Sequence, residues 1–182
     1  MPLSAPLRSA IKHGMGENRI EPLGEVHNRG EFSCGKPSLD SYFHTQAKQH
    51  AKKGISRTFV ICSAAASKVF GFYTLVASSV AFEELPKALS KKLPKHPIPS
   101  ILLARLAVDL SCQGRGIGSE LLMDAFTRAV EISLQLGVYG LHVHALDSDA
   151  VSFYAKYGFV SLPEQERHMF MTVETIRQGL GE

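Results

Sequence analysis

The sequence has few cysteines, no long apolar run and little net charge, and each shortage removes a class of function. Cys34, Cys62 and Cys112 are the three cysteines of 182 residues, far apart and in no C-x-x-C pairing. That argues against a disulfide framework and against a structural zinc site. Cys112 lies beside a glycine-rich turn but reads as a buried or idle thiol rather than a nucleophile. No stretch approaches the roughly 18 consecutive apolar residues of a membrane span. The opening residues MPLSAPLRSAIKHGMGENRI lack the continuous apolar centre of a secretory signal. A cytoplasmic protein without membrane contact is the expectation. Internal repeats and low-complexity segments are absent too. With 45% apolar and 20% charged residues, the composition is that of one ordinary globular domain.

A net charge of +3 is a mild basic bias, which permits a polyanionic partner without specifying one. The charge is clustered. Lys36, Lys48, Lys52, Lys53 and Arg57 face a single acid, Asp40, and KALSKKLPKHP gathers Lys87, Lys91, Lys92 and Lys95. A solvated surface and a nucleic-acid contact both account for such clusters.

Residues 1–18, with two prolines, two glycines and no periodicity, read as a flexible lead-in, and 19–182 as the domain. In KPSLDSYFHTQAKQHAKKG, Ser38 is a candidate N-cap. Leu39, Tyr42, Phe43, Ala47 and Ala51 have helical spacing, and Gly54 closes the segment. ISRTFVIC and VFGFYTLVA form a β-hairpin around SAAAS. FEELPKALSKKL is a short helix, and PKHPIP a connector. SILLARLAV is apolar enough for a strand covered on both faces. Leu121, Leu122, Ala125, Phe126, Ala129, Ile132 and Leu136 mark a helix running to Gly137. GLHVHAL reads as a strand, DSDAVSFYAKYG as a helix capped by Asp147 or Ser148, and FVSL and HMFMTV as two closing strands. The order is that of an α/β domain with a mixed sheet.

The informative stretch is LAVDLSCQGRGIGSELL, strand before and helix after, with glycines at 114, 116 and 118. A P-loop requires a lysine after its last glycine, and Gly118 is followed by Ser119 and Glu120. A dinucleotide fingerprint counted from Gly114 would need a sixth-position glycine where Ser119 stands. The pattern present is Q-x-x-G-x-G, formed by Gln113, Gly116 and Gly118. Residues without side chains let successive N–H groups converge on a pyrophosphate, and the helix dipole adds about half a positive charge there. Arg115 supplies a whole one.

This loop resembles the acyl-CoA loop of the GNAT superfamily of N-acetyltransferases. The stretches FSCGKPSLDSY, SRTFV, PIPSILLARLAVD and HALDSDAVSFYAKYGF resemble the GNAT toxins of type II toxin–antitoxin modules, over about residues 19–175. The resemblance implies a GNAT fold, α/β, with a mixed central sheet flanked by helices and the acyl-CoA held in the splay between two central strands. It implies acetyl-CoA as co-substrate, bound by Gln113, Gly114, Arg115, Gly116, Ile117, Gly118 and Ser119, by backbone at Ala107 or Val108, and by Phe153. The acceptor it implies is the α-amino group of aminoacyl-tRNA, whose acetylation stops translation. Lys52, Lys53, Lys92, Lys95 and Arg105 are then the candidate tRNA contacts. The partner implied is a ribbon-helix-helix antitoxin, through which alone DNA is contacted. A homodimer is left open.

Tyr154 occupies the position that supplies the general acid in these toxins. A phenol of pKa about 10 stays protonated at neutral pH and can protonate a thiolate of pKa about 8.5 only mildly uphill. Packing is the competing role, since Ala150, Phe153, Tyr154 and Tyr157 share a helical face. No acid pair marks a general base. His142 and His144 share one face of a strand, and two histidines without a third ligand read as packed rather than metal-binding. The missing base suits an α-amine of pKa about 8, far more often neutral at pH 7 than a lysine. Acetylation of a small amine or a protein N-terminus, and acyl-CoA binding without catalysis, remain alternative readings.

Overall fold

The computed structural model describes residues 18–63 and 67–181. The lead-in at 1–17 and the alanines of the SAAAS turn lie outside the described residues. Seven strands follow one another across a mixed sheet in the order β1-β2-β3-β4-β5-β7-β6. They are β1 (Asn18–Pro22), β2 (Arg57–Ser63), β3 (Val69–Val80), β4 (Ile98–Val108), β5 (Gly140–His144), β6 (Val160–Leu162) and β7 (Gln165–Thr172). β1, β2 and β3 are antiparallel neighbours, as are β5, β7 and β6, whereas β4 and β5 are parallel. The helices are α1 (Pro37–Ser41), α2 (Ala47–Lys52), α3 (Lys87–Ser90), α4 (Ile117–Ser133), α5 (Ser148–Lys156) and α6 (Val173–Leu180). No helix among the described residues is long and apolar enough to cross a membrane.

Two compact units emerge, residues 18–76 with 104–125 and residues 77–103 with 126–181. In the first, α1 and α2 are joined by a π-helical turn, Tyr42–Gln46, that swings Tyr42 and Phe43 into the core. Phe43 stacks on Phe72 at 4.3 Å between ring centroids, and Phe32 meets both edge-on at 5.0 and 5.3 Å. Such pairs each contribute about 1 kcal/mol beyond area burial. Gly71 of β3 is required by close approach. A Cβ there would lie 2.9 Å from both the Ala107 carbonyl oxygen and Leu121 Cδ1, so strand and helix close over it.

In the second unit, Val80, Leu85, Ile98, Leu162 and Phe170 form a core, with Tyr139 and Phe82 packed on it. Asp147 is the cap of α5, its side chain accepting from Ala150 N at 3.0 Å. Gly158, at φ +97°, ends that helix region.

Several sequence expectations are corrected. Lys36, not Ser38, is the N-cap of α1, because Pro37 takes the first helical position where its missing N–H costs nothing. FEELPKALSKKL divides at Pro86 into a single tight turn, Phe82–Glu84, and α3. α4 ends at Ser133, short of Gly137, and leaves Leu136 exposed. β4 begins at Ile98 and so absorbs the last proline of the connector. β1 and α6 were not expected from the sequence, one being short and half-exposed and the other amphipathic only over two turns.

Candidate active site

β4 delivers the chain into the glycine turn. Beyond Val108, Asp109 caps a short turn, Leu110–Cys112, by accepting from Ser111 N at 2.9 Å, while its other oxygen accepts from Ser33 N at 3.1 Å. Burial pushes the Asp109 carboxyl up, but the hydrogen bonds from Ser111 and Ser33 outweigh it and hold the group below the usual carboxylate range. Gln113 then ties the turn down. Its Nε2 donates to the Val108 carbonyl at 3.0 Å and to the Cys34 carbonyl at 3.1 Å. Its Nε2 is therefore occupied in holding the loop.

Gly114 and Gly116 adopt φ of +75° and +84°, the left-handed region that side chains disfavour. Both are exposed, and a Cβ on either would meet nothing within 4 Å. The turn thus requires glycine for its backbone path, and its outer face is open. Ser119 N and Glu120 N donate to the Gly116 carbonyl at 3.0 and 3.1 Å, which starts α4 immediately after the loop. The earlier first-turn N–H groups have no helical acceptor, and the helix dipole is positive there. Ile117 is buried and anchors the helix, Gly118 is its second residue, and Arg115 is exposed on the turn. The one acid in the first turn, Glu120, has its carboxyl pushed up by burial.

Ala107 is buried and Val108 half-buried at the end of β4. The parallel ladder between β4 and β5 runs from Ser100↔Gly140 to Leu102↔His142, whereas β4 continues to Val108. In the same unit, Lys52 and Lys53 are exposed at the end of α2. Arg105 is not a free cation: its guanidinium carbon sits 3.8 Å above the Tyr42 ring centroid.

The second unit carries the remaining expected residues. Tyr154 is buried on α5, edge-on to Phe153 at 5.2 Å and to Phe159 at 5.4 Å. Burial pushes its phenol well above the ordinary value, so the hydroxyl is protonated at any working pH. The same shift makes transfer to a free thiolate steeper than the sequence reading assumed. Among the described residues the hydroxyl has no hydrogen-bond partner. Phe153 is half-buried and also touches Tyr157, with centroids 5.2 Å apart. Lys92 and Lys95 are exposed after α3.

Two features escaped the sequence reading. Asp109 and its tie to Ser33 were missed, although an aspartate directly after an apolar strand is a residue type that caps the turn or helix that follows. His168 was missed as a companion of His142 and His144. Only the pairing of β5 with β7 brings it there, directly opposite His144.

Comparison with known proteins places these features. Residues 54–161 match the family described as acetyltransferase (GNAT) domain. A tRNA-acetylating toxin of Mycobacterium tuberculosis is 40% identical over 160 residues, which are 88% of this chain and 95% of that protein. Among solved structures, AtaT complexed with acetyl-methionyl-tRNAfMet superposes with a TM-score of 0.82 at 33% identity, covering 88% of this chain and 97% of the other. A mutant AtaT bound to the C-terminus of its antitoxin AtaR and to acetyl-CoA gives a TM-score of 0.78 at 29% identity, covering 92% of this chain and all of that one. With its mixed seven-stranded sheet and its Q-x-x-G-x-G turn at the head of α4, the chain belongs to the GNAT acetyltransferase family.

Proposed function

We propose that the protein is a toxin that transfers an acetyl group from acetyl-CoA to the α-amino group of aminoacyl-tRNA, and that a ribbon-helix-helix antitoxin neutralises it. The observation that carries this reading is the turn at Gly114 and Gly116, pinned by Gln113 and open on its outer face, leading straight into the N-terminus of α4. A diphosphate is the ligand such a turn suits. The relatives support the rest: AtaT has been solved with acetyl-CoA, with its antitoxin and with acetylated methionyl-tRNA, and the mycobacterial relative is a tRNA-acetylating toxin. The acceptor is cytoplasmic, and so is the proposed site of action. DNA contact is assigned to the complex with the antitoxin.

In the proposed reaction the neutral α-amine attacks the thioester carbonyl, whose oxygen is held by backbone N–H at the end of β4, near Ala107 or Val108. A new C–N bond forms, the C–S bond breaks, and the departing sulfur takes a proton from the Tyr154 hydroxyl. The proton shed by nitrogen restores the tyrosine, so the products are an N-acetyl aminoacyl-tRNA and free CoA. Because burial makes the isolated phenol a weak acid, the proton has to move as negative charge develops on sulfur, not before. Phe153, beside Tyr154, supports its ring. Lys52, Lys53, Lys92 and Lys95 supply cationic contacts for tRNA phosphates.

The test is incubation of the purified protein with acetyl-CoA and a set of charged tRNAs, followed by mass spectrometry of the released aminoacyl-adenosine. Acetyl-aminoacyl-adenosine is the expected product. Acetylation of free amino acids, polyamines or peptide N-termini at equal or greater rate, with charged tRNA untouched, would reject the tRNA reading and leave the acetyltransferase one.

A further inference from the structure

The pairing of β5 with β7 assembles three histidines. His142 and His144, two apart on β5, share a face, and His168 of β7 is the direct cross-strand partner of His144. His142 Nδ1 and His168 Nε2 are 2.9 Å apart, and the rings of His144 and His168 stack with centroids 4.1 Å apart at 27°. One ring nitrogen from each histidine lies within 4.8 Å of the other two. His142 and His168 are buried, and His144 is exposed. The remaining nitrogen of His142, Nε2, is buried without a partner.

Three ring nitrogens drawn together from two paired strands, with no carboxylate among them, are the donor set of a cation site. Burial and the neighbouring imidazoles hold His142 down to about 4, and burial followed by His144 keeps His168 below its ordinary value, so these two offer lone pairs at neutral pH. Zinc–nitrogen bonds of about 2.0–2.1 Å place tetrahedral ligand nitrogens roughly 3.3 Å apart. His142 Nδ1 and His168 Nε2 are 2.9 Å apart and the three nitrogens all lie within 4.8 Å of one another, so small side-chain adjustments, of the exposed His144 ring above all, reach that spacing. The proton shared by His142 and His168 moves to the outer nitrogen of one ring, and both imidazoles stay neutral. Gln165 Oε1, 3.4 Å from His168 Nδ1, is placed to orient that ring.

A second cluster, Glu21, His27 and Cys62, lacks this freedom. His27 Nδ1 accepts from Gly24 N at 2.9 Å and Nε2 pairs with Glu21 Oε1 at 2.8 Å, so both ring nitrogens are already used.

We propose that His142, His144 and His168 form a three-nitrogen site for a divalent transition cation of the zinc class, with the fourth position open to solvent beside His144. Imidazole donors without carboxylate suit zinc, copper or nickel rather than magnesium or calcium. The site goes beyond the proposed acetyl transfer and is tested apart from it.

The test is titration of the full-length, metal-free protein with Zn²⁺ against a competing chelator, repeated with Co²⁺ followed by visible absorption. Wild type is expected to take up a single equivalent, to show four-coordinate cobalt bands and to melt at a higher temperature with Zn²⁺ than without. His144→Ala removes an exposed side chain and leaves the fold intact. It should weaken binding at least about tenfold and abolish the thermal shift. His96→Ala, an exposed histidine elsewhere, should change neither. Absence of saturable binding by wild type, or binding that His144→Ala leaves unaltered, would overturn the proposal.

Discussion

Gln113 ties the glycine turn to the strand that feeds it: Nε2 donates to the Val108 carbonyl at 3.0 Å and, from the same nitrogen, to the Cys34 carbonyl at 3.1 Å. The first residue of Q-x-x-G-x-G thus acts on the loop. Both N–H groups of one exposed amide serve to fix the path of a turn whose two glycines would otherwise be free to take many conformations.

Gln113→Ala should therefore loosen the turn rather than remove a ligand contact. Two neutral hydrogen bonds contribute about 1 kcal/mol each to loop order. Acetyl-CoA affinity, measured by calorimetry, should fall by roughly 5- to 30-fold while the melting temperature changes little. Wild-type affinity in this variant would mean that the tie does not shape the site.

Gly116→Asp should abolish acetyl-CoA binding in a folded protein. A Cβ at 116 meets nothing within 4 Å, so no clash unfolds the turn. The φ of +84° costs about 1–2 kcal/mol for any side chain. Gly116→Ala carries that same strain without the charge, so the difference between the two variants isolates repulsion of the diphosphate. Equal affinities would show that no anion sits at this turn.

The cysteine chemistry has a pH signature. Burial, followed by the hydrogen bond with Asp40, pushes the Cys34 thiol up to about 11. Since the thiolate is the reactive form, labelling of Cys34 by a maleimide should be very slow at pH 8, where only about a thousandth is ionised, and should quicken toward pH 11. Cys62 is raised too, again by burial first. Peptide mapping of the labelled protein checks it. Rapid labelling of folded protein at pH 8 would mean that Cys34 is open to solvent.

Much of this was legible in the sequence for definite reasons. The anion turn could be read because it needs residues at positions where only glycine is comfortable, and Gly114 and Gly116 do adopt positive φ. The strands β2 to β5 could be read because they are apolar runs bounded by turns. The role of Gln113 could not, because its acceptors are backbone carbonyls 5 and 79 residues away, one of them in a different segment. Nor could the company of His142 and His144. His168 lies 26 residues from His142, and a one-residue slip between β5 and β7 would turn it to the other face. Ser38 looked like a cap by type, but Pro37 moved the helix start two residues earlier.

The exposed lysines should bind tRNA by charge. Reversing Lys52, Lys53, Lys92 and Lys95 to Glu should weaken acetylation of charged tRNA and flatten its dependence on salt, because fewer counterions are released on binding. Acetyl-CoA affinity should hardly change. If acetylation is untouched, these lysines are a solvated surface. Arg105 is the next candidate, and Arg105→Lys tests it, since a lysine keeps the charge but loses the planar stacking on Tyr42.

Tyr154→Phe should stop the reaction without disturbing the fold. The ring is held by Phe153 and Phe159, contacts that phenylalanine keeps. The hydroxyl has no partner among the described residues, so its removal leaves no buried group unpaired. What is lost is a proton donor that burial keeps protonated at every working pH. General acid catalysis contributes about 100- to 10,000-fold, so single-turnover acetylation of charged tRNA should slow by that order with little change in KM. The pH profile should separate the roles. Because Tyr154 does not ionise in the working range, the wild-type rate should rise with pH only as the substrate α-amine, of pKa about 8, loses its proton. The variant should show the same rise from a far lower level. In cells, induction of Tyr154→Phe at equal protein level should no longer arrest growth. A variant that retained the wild-type rate would make Tyr154 a packing residue and move the proton donor elsewhere.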